Sequence, residues 1–299
     1  MMIRGAVRAI CWFGFVTSLL AITLHAAQSE IEITRDIIYG SADGTDLKLD
    51  IYRPAATALL PAILILHASN GTKSDPDLVV PWAQYLAGQG YLAIAVEHRL
   101  LPFYGGPGFP AQLQDVKCAV RWARANATTW NINPDRIGIL GFSSGGWLAE
   151  LVGTTDNSSN LEGSCGDTPI SSRVQAVIAY YSPSDLLKMP AIGQYDVGNV
   201  LIGKPCLPGP SQDATLCMQA SPVTYISSDD PPFLLAHGTK DTNIPFEQSE
   251  LMQSALSAAG VNVELVKVEG AGHIWKIDTD YEKQVEASLI SFLEKHLKH

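Results

Sequence analysis

One serine of the sequence stands between two glycines at the spacing Gly-x-Ser-x-Gly, formed by Gly141, Ser143 and Gly145. A strand-like apolar run precedes this motif, and a helix-compatible segment follows it. A strand that turns sharply into a helix brings its backbone close to itself, and glycines leave room for that approach. The pattern predicts a nucleophile elbow that exposes the Ser143 hydroxyl. On these residues alone, a plain Gly/Ser-rich turn is the alternative interpretation.

A serine hydroxyl is a poor nucleophile at neutral pH, so it needs a base that accepts its proton and an acid that orients the base. Among the seven histidines, His273 lies in a loop of small residues, 270–273, between the last two predicted elements. Small neighbours allow this loop to approach the elbow closely, so we predict that His273 is the base. His67 and His237 end predicted strands, and we interpret them as structural.

The orienting acid is expected at a strand end between Ser143 and His273. Asp241 meets this condition, because it follows a buried strand and precedes a helix that begins near a proline. Asp185 is the alternative, since its loop also follows a strand, although an earlier one. We predict that Asp241 is the acid.

Strand-like and helix-like segments alternate through the chain and must position these residues. Strands are predicted at 31–39, 47–52, 62–66, 91–96, 136–141, 174–180, 233–237 and 261–268. Helices are predicted at 78–89, 111–127, from 144 onward, 246–259 and 281–297. The first two strands form a hairpin, and the later alternation predicts an α/β fold with a mostly parallel eight-stranded sheet and helices on both faces. Ligands bind beyond the carboxyl ends of such strands, where the candidate residues lie.

The first 27 residues have the pattern of a secretory signal peptide. Arg4 and Arg8 precede an apolar run at 9–24, and small residues follow at Ala26 and Ala27. An uncleaved anchor is the alternative, but this run is shorter than the roughly 20 residues that a membrane span needs. We therefore predict a secreted or periplasmic protein without stable membrane insertion after cleavage, with one domain over 28–299.

The net charge of the chain is −10, and residues 28–299 contain 18 basic and 30 acidic residues. An acidic surface repels phosphates, which argues against a nucleic-acid partner. The sequence has no glycine-rich phosphate loop and no metal-ligand spacing, so neither a cofactor nor a metal is predicted. The oligomeric state is left open.

Four cysteines remain after the predicted signal peptide, and export would place them in oxidising conditions. Cys206 and Cys217 flank a loop rich in proline, glycine and serine within the irregular segment 182–230, so we predict that they form a disulfide. Cys118 lies in a helical pattern and is interpreted as a buried small hydrophobic residue. Cys165 is left open between pairing and remaining free.

The chain resembles the α/β-hydrolase superfamily, and within it the branch of acetyl-xylan, feruloyl and hormone-sensitive-lipase-like esterases. The order Ser143, Asp241, His273 is that of the superfamily. Further stretches that resemble the branch lie at 47–54, 109–117, 121–127, 133–138, 220–223, 231–238 and 270–273. The resemblance covers roughly residue 35 to the end. It implies a serine carboxylesterase that hydrolyses short-chain acyl esters through an acyl-enzyme, with a small-molecule or polysaccharide-linked substrate such as an acetyl or feruloyl polysaccharide ester. The predicted signal peptide makes this an exported enzyme.

The loop after the third strand departs from the family. The usual His-Gly-Gly-Gly is replaced by His67, Ala68, Ser69 and Asn70. By resemblance, the N–H groups of Ala68, Ser69 and Ser144 would form the oxyanion hole, and Asn70 would either donate from its side chain or hold the turn. The added side chains favour a modestly narrowed acyl pocket that prefers acetyl to butyryl esters.

Aromatic residues near the predicted site suggest a cleft for a sugar or phenolic ring. We predict substrate contacts for Trp147 and Trp275, with a core position as the alternative for Trp147, and we consider Phe103 and Tyr104 as further candidates. A second departure from the family is His98, where tyrosine is usual.

Two other functions remain as alternatives: a serine peptidase of the prolyl-oligopeptidase kind, and a non-catalytic binding protein on a hydrolase fold.

Overall fold

A computed structural model describes residues 30–56, 58–68, 72–75, 77–155, 161–165, 169–191 and 196–298. The predicted signal peptide lies outside these residues, and so do Ser69 and Asn70 of the predicted oxyanion loop. Within the described residues, eight strands form one sheet: β1 (Ile31–Ala42), β2 (Thr45–Pro54), β3 (Leu60–Leu66), β4 (Leu92–Val96), β5 (Ile132–Phe142), β6 (Ala176–Tyr180), β7 (Phe233–Gly238) and β8 (Val263–Val268).

The order of strands in the sheet is β1-β2-β4-β3-β5-β6-β7-β8. The pairs β1–β2 and β2–β4 are antiparallel, and the remaining neighbours are parallel. Strands β3, β4, β6 and β7 are buried along their whole length, as their unbroken apolar runs require. The predicted mostly parallel, eight-stranded sheet is therefore confirmed.

Helices cover both faces of the sheet. The main ones are α1 (Val79–Gly88), α2 (Ala111–Ala125), α3 (Ala127–Trp130) and α4 (Ser144–Thr154) before residue 160, and α7 (Glu247–Ala258) and α8 (Asp280–Leu293) near the end. Helices α1 and α8 bury Trp82 and Leu289 in the core on one face. Helices α2, α4 and α7 bury Val116, Leu148 and Leu256 in the core on the other. The sheet is thus shielded on both sides, and its carboxyl edge carries the candidate site.

The segment 182–230 is less irregular than its composition predicted. It contains two short helices, α5 (Val197–Leu201) and α6 (Ala214–Gln219). The carboxylates of Asp196 and Asp213 cap them by accepting from the backbone N–H groups of Gly198 and Leu216. A disulfide joins Cys206 to Cys217, with their Cα atoms 5.7 Å apart. The two caps and the disulfide thus stabilise these short helices. Helices of this length show no hydrophobic periodicity, so the sequence pattern did not predict them.

A second disulfide joins Cys118 of α2 to Cys165. The interpretation of Cys118 as an unpaired small hydrophobic residue was therefore wrong, although its side chain is fully buried. The pair packs against Gly40 of β1, where an added Cβ would lie 2.2 Å from the Cys165 sulfur. The two cysteines are 47 residues apart in sequence, so a local pattern does not reveal this pairing.

Candidate active site

Ser143 lies on the sharp turn between β5 and α4. Its φ of 54° and ψ of −116° form a strained backbone conformation for a residue with a side chain. The Ser143 N–H holds this turn by donating to the Tyr180 carbonyl oxygen at 2.9 Å. A Cβ at Gly141 would lie 2.0 Å from the Gly145 carbonyl oxygen, and one at Gly145 would lie 2.5 Å from the His67 carbonyl oxygen. Both glycines of the motif are therefore sterically required.

The structure brings Ser143, His273 and Asp241 into one chain of hydrogen bonds. The Ser143 Oγ lies 2.9 Å from His273 Nε2, and His273 Nδ1 lies 2.7 Å from Asp241 Oδ2. Because the carboxylate only accepts, Nδ1 carries the proton and Nε2 is free to accept from the serine hydroxyl. This arrangement can withdraw a proton from Ser143 as its oxygen attacks an electrophile.

Asp241 follows β7, and its side chain is fully buried. Burial raises its pKa, but hydrogen bonds from His237 and His273 and from the backbone of Ile244 outweigh that effect and hold the pKa below its ordinary range. The other carboxylate oxygen accepts from the N–H groups of Asn243 and Ile244 at 2.8 and 2.9 Å. Asp241 is thus held ionised and rigid beneath His273.

Asp185, the alternative acid, serves a different purpose in the structure. Its carboxylate accepts from the Leu187 N–H at 3.1 Å and forms an ion pair with Lys188 at 3.0 Å. It therefore caps a short helical turn after β6. The carboxylate that His273 contacts is that of Asp241.

The first backbone N–H groups of α4 point toward the elbow. Helix-initial N–H groups have no partner within the helix, so Ser144 offers a donor beside the Ser143 hydroxyl. The close approach of Gly145 to the end of β3 places Ala68 next to this helix terminus. Ala68 is buried, and its carbonyl oxygen accepts from the His67 ring at 2.8 Å. Ser69, the third predicted donor, lies outside the described residues.

A pocket of about 400 Å³ opens beside the Ser143 hydroxyl. Its walls are mostly apolar and come from five separate parts of the chain: Phe103, Tyr104, Ser143, Ser144, Pro183, Val197, Val200, Leu201, Asn243 and Ile244. The rings of Phe103 and Tyr104 meet edge to face with centroids 5.1 Å apart, and both remain exposed. These two candidates therefore do lie at the site.

Trp147 and Trp275 do not line this pocket, and the prediction that they contact substrate was wrong. Trp147 is fully buried between α4 and the core, where its indole N–H donates to the Ala220 carbonyl oxygen at 2.7 Å. Trp275 is 4% exposed, and its indole N–H donates to Glu282 at 2.9 Å. Both indoles point inward because their N–H groups find buried acceptors there.

Sequence reasoning missed several residues of the site. Tyr181 packs edge to face against the His273 ring, with centroids 5.1 Å apart, and its φ of 42° is unusual for a side-chain-bearing residue. Val197, Val200 and Leu201 enter from the segment 182–230, which the Cys206–Cys217 disulfide ties. Their only sequence signal was the predicted Cys206–Cys217 bridge.

His67 and His98, the two other strand-end histidines near the oxyanion loop, stack with ring centroids 4.1 Å apart. Burial lowers the pKa of both, and the neighbouring His67 lowers that of His98 further. Each ring donates from Nδ1 to a backbone carbonyl oxygen of the next residue. At the position where the resemblance implies a tyrosine, the His98 ring thus stacks on the His67 ring.

Across the described part of the chain, no helix has the length and apolar character that crossing a membrane requires. The same ranges contain no group of three His, Cys, Asp or Glu side chains that could hold a metal ion.

A family model and several known proteins match this chain. The family model BD-FAE matches residues 49–256, more than half of the chain. The chain belongs to the BD-FAE family. The resemblance to α/β-hydrolase serine esterases is thereby confirmed. The match begins in β2 and ends in α7, so it covers Ser143 and Asp241, whereas His273 lies beyond it.

This BD-FAE family chain is similar to Esterase LipQ of Mycobacterium tuberculosis, at 27% identity over 86% of this chain and 61% of the relative. It therefore spans about three fifths of that relative's length. A carbohydrate esterase from gut microbiota has a similar structure, with a TM-score of 0.75 and 29% identity over 92% of this chain and 99% of the other. The structure of esterase Est2 of Thermogutta terrifontis is also similar, with a TM-score of 0.70 and 27% identity over 90% of this chain and 92% of the other.

Proposed function

We propose that the protein is an exported serine carboxylesterase that hydrolyses short-chain acyl esters of a carbohydrate or phenolic alcohol through an acyl-enzyme. The observation that carries this proposal is the contact of Ser143 Oγ with His273 Nε2 at 2.9 Å beside a mostly apolar pocket. A binding protein has no need for a strained serine whose hydroxyl faces an oriented base. The esterase names of its relatives support the same reaction.

The chemistry follows from the hydrogen-bond chain. The Ser143 oxygen attacks the ester carbonyl carbon while its proton moves to His273 Nε2. Asp241 stabilises the imidazolium that results, and it stays ionised because its pKa lies below the ordinary range. When the tetrahedral intermediate collapses, His273 returns the proton to the leaving alcohol oxygen and the acyl group stays on Ser143. Water then attacks the acyl-serine by the same route and releases the acid.

Negative charge on the carbonyl oxygen develops next to the first turn of α4. The Ser144 N–H and the N–H groups of residues 68–69 are the proposed donors. Each preorganised donor of this kind contributes about 2.7 to 4 kcal/mol to transition-state stabilisation in other enzymes. The helix N-terminus adds a favourable potential at the same place.

The pocket suggests which part of the ester it holds. A volume of about 400 Å³ is several times that of an acetyl group, so a short acyl group leaves most of it empty. We infer that the acyl group lies against the oxyanion loop and that the alcohol part fills the pocket. The exposed faces of Phe103 and Tyr104 suit a sugar or phenolic ring.

Export is part of the proposal. Its support is the signal-like segment 1–27 together with the two disulfides, which persist in oxidising compartments and are rare in reducing ones. Expression with the native leader, followed by fractionation, should place the enzyme outside the cytoplasm. Activity confined to the cytoplasmic fraction would contradict export.

The reaction is tested with p-nitrophenyl esters from acetate to decanoate, an acylated sugar, and an acyl-peptide anilide. We expect turnover of acetate through butyrate and of the sugar ester, no cleavage of the anilide, and loss of activity in Ser143→Ala. Efficient anilide cleavage would instead support a peptidase. A folded wild-type protein that cleaves none of these substrates would leave a binding protein as the better interpretation. Decanoate cleavage at or above the butyrate rate would contradict the short-chain preference.

A further inference from the structure

His237 occupies the position before the last residue of β7 and has no solvent-exposed surface. Its Nε2 lies 2.9 Å from the Ile244 carbonyl oxygen and 3.3 Å from Asp241 Oδ2. A carbonyl oxygen only accepts hydrogen bonds, so Nε2 must carry a proton. On the other side of the ring, Nδ1 lies 2.7 Å from the Ser249 hydroxyl oxygen on α7. In this tautomer Nδ1 carries no proton, so it accepts a hydrogen bond from the Ser249 hydroxyl.

This imidazole closes a small network around the Asp241 carboxylate. Its N–H bonds to the carbonyl of Ile244, while the N–H of Ile244 bonds to Asp241 Oδ1 at 2.9 Å. The same imidazole N–H faces Oδ2, which is the oxygen that accepts from His273 Nδ1. His237 therefore contacts both the loop that holds the carboxylate and the oxygen that orients the proposed base.

We propose that His237 is a positioning residue for the Asp241–His273 pair, and that Ser249 fixes it as the Nε2–H tautomer. The proposal rests on the esterase function above, because it assigns a role within that site. It extends the hydrogen-bond chain from Ser143 through His273 and Asp241 to His237 and Ser249.

Two effects on the reaction follow from this arrangement. The bond from His237 to the Ile244 carbonyl helps to hold the loop that bears Asp241, and a displacement of about 1 Å in a catalytic group can cost about 100-fold in rate. The N–H that faces Oδ2 also stabilises the negative charge of the carboxylate, which contributes to the lowered pKa of Asp241. Without it, the carboxylate attracts the proton on His273 more strongly. The acidic limb of kcat/KM then moves to higher pH.

The surroundings add few other titrating groups. On the His273 side, the ring faces Ser143, Asp241 and Tyr181. On the α7 side, His237 faces Ser249 and packs against the non-ionisable ring of Phe246, with centroids 5.6 Å apart. Burial raises the pKa of Tyr181 well above its ordinary value, so this phenol stays neutral across the acidic limb.

The test compares four variants with the wild type on p-nitrophenyl acetate from pH 5 to 9. His237→Leu removes the ring, and His237→Gln keeps an amide donor near the place of Nε2. Ser249→Ala removes the partner that fixes the tautomer. Ser254→Ala is the matched control, since this serine lies exposed on the same helix. Circular dichroism and thermal melting show whether each variant is folded.

We expect His237→Leu to lower kcat roughly 10- to 100-fold with little change in KM, and to move the acidic limb upward by about 0.5 to 1 pH unit. His237→Gln should recover most of the rate and the wild-type limb. Ser249→Ala should fall between them, and Ser254→Ala should match the wild type. The His273 Nδ1 proton, observed by NMR at low field, should shift in His237→Leu and not in Ser254→Ala.

A purely structural role for His237 predicts another pattern. His237→Leu would then melt at a lower temperature while its folded fraction kept the wild-type pH limb and NMR signal, and this outcome would overturn the proposal. If His237→Leu fails to fold, Ser249→Ala decides by the same two readouts. Absence of wild-type activity that depends on Ser143 would refute the esterase function instead, so the two failures are distinguishable.

Discussion

The hydroxyl of Ser182 donates a hydrogen bond to the carboxyl group of Glu150, which is fully buried on α4 behind the elbow. Burial raises the pKa of Glu150 from 4.5 to about 8, although the hydrogen bond from Ser182 opposes this shift. Glu150 is therefore protonated in the folded protein at neutral pH and ionised in the unfolded chain. This contact joins α4, which begins at the elbow, to the loop after β6, which carries Pro183 of the pocket.

Glu150 makes the stability of the protein depend on pH. Its folded-state pKa is higher than its unfolded value, so its favourable contribution is complete below pH 4.5 and is lost as pH rises to about 8. The loss amounts to roughly 4 to 5 kcal/mol. We expect Glu150→Gln to flatten this decline and to be more stable than the wild type at pH 9, as measured by urea unfolding. Exposed Glu30→Gln is the control, and an unchanged pH slope in Glu150→Gln would contradict the assignment.

The two candidate acids can be separated by matched substitutions. We expect Asp241→Asn to lower kcat about 10³- to 10⁴-fold, because an amide at this position favours the wrong imidazole tautomer. Asp185→Asn should keep near-wild-type kcat and lose less than about 1 kcal/mol of stability, since the amide oxygen can still accept from the Leu187 N–H and only the ion pair with exposed Lys188 is lost. Steady-state kinetics and thermal melting of both variants give the answer. The reverse result would exchange the two roles.

Trp147 and Phe103 should respond in opposite ways to substitution. Trp147→Phe removes a buried hydrogen bond to Ala220 and leaves space, so we expect a loss of about 1 to 3 kcal/mol with KM unchanged. Phe103→Ala removes a ring that is 54% exposed at the pocket mouth. It should raise KM for aryl and sugar esters with little effect on stability. A KM defect in folded Trp147→Phe would restore the original assignment of this tryptophan to substrate binding.

The two disulfides should have different consequences for activity. The Cys118–Cys165 bridge closes 47 residues and the Cys206–Cys217 bridge 11, so their chain-entropy contributions are roughly 4 and 3 kcal/mol. Only the shorter bridge ties the segment that lines the pocket through Val197, Val200 and Leu201. We expect the double serine variant at 206 and 217 to raise KM as well as lower stability. The double serine variant at 118 and 165 should lower stability and leave KM unchanged. Equal KM values in the two variants would contradict the prediction that only the Cys206–Cys217 bridge affects the pocket.

Much of the architecture could be predicted from the sequence because it depends on local interactions. Unbroken apolar runs identify strands buried on both faces, as in β3 and β6, and alternation identifies the hairpin of β1 and β2. The need for glycine at 141 and 145 follows from how closely an elbow approaches itself, wherever the elbow lies. The ends of two elements differ from the prediction: α2 ends at Ala125 rather than at 127, and β8 begins at Val263 rather than at 261.

The candidate residues at strand ends were also accessible from sequence. Asp241 and His273 follow β7 and β8, and parallel strands deliver their carboxyl ends to one edge of the sheet. Because that edge also carries the elbow, strand order alone brings the three side chains near one another.

Only the tertiary structure decided which side chains face the pocket and which face the core. Trp147 and Phe103 are both aromatic and both lie near the elbow, yet one packs inward against Ala220 and the other stays exposed. The partner of Cys118 and the contact between His237 and Asp241 depend in the same way on where distant segments cross. Such contacts are set by the packing of the whole chain, because each requires the direction of a side chain and the position of a partner that local sequence does not encode.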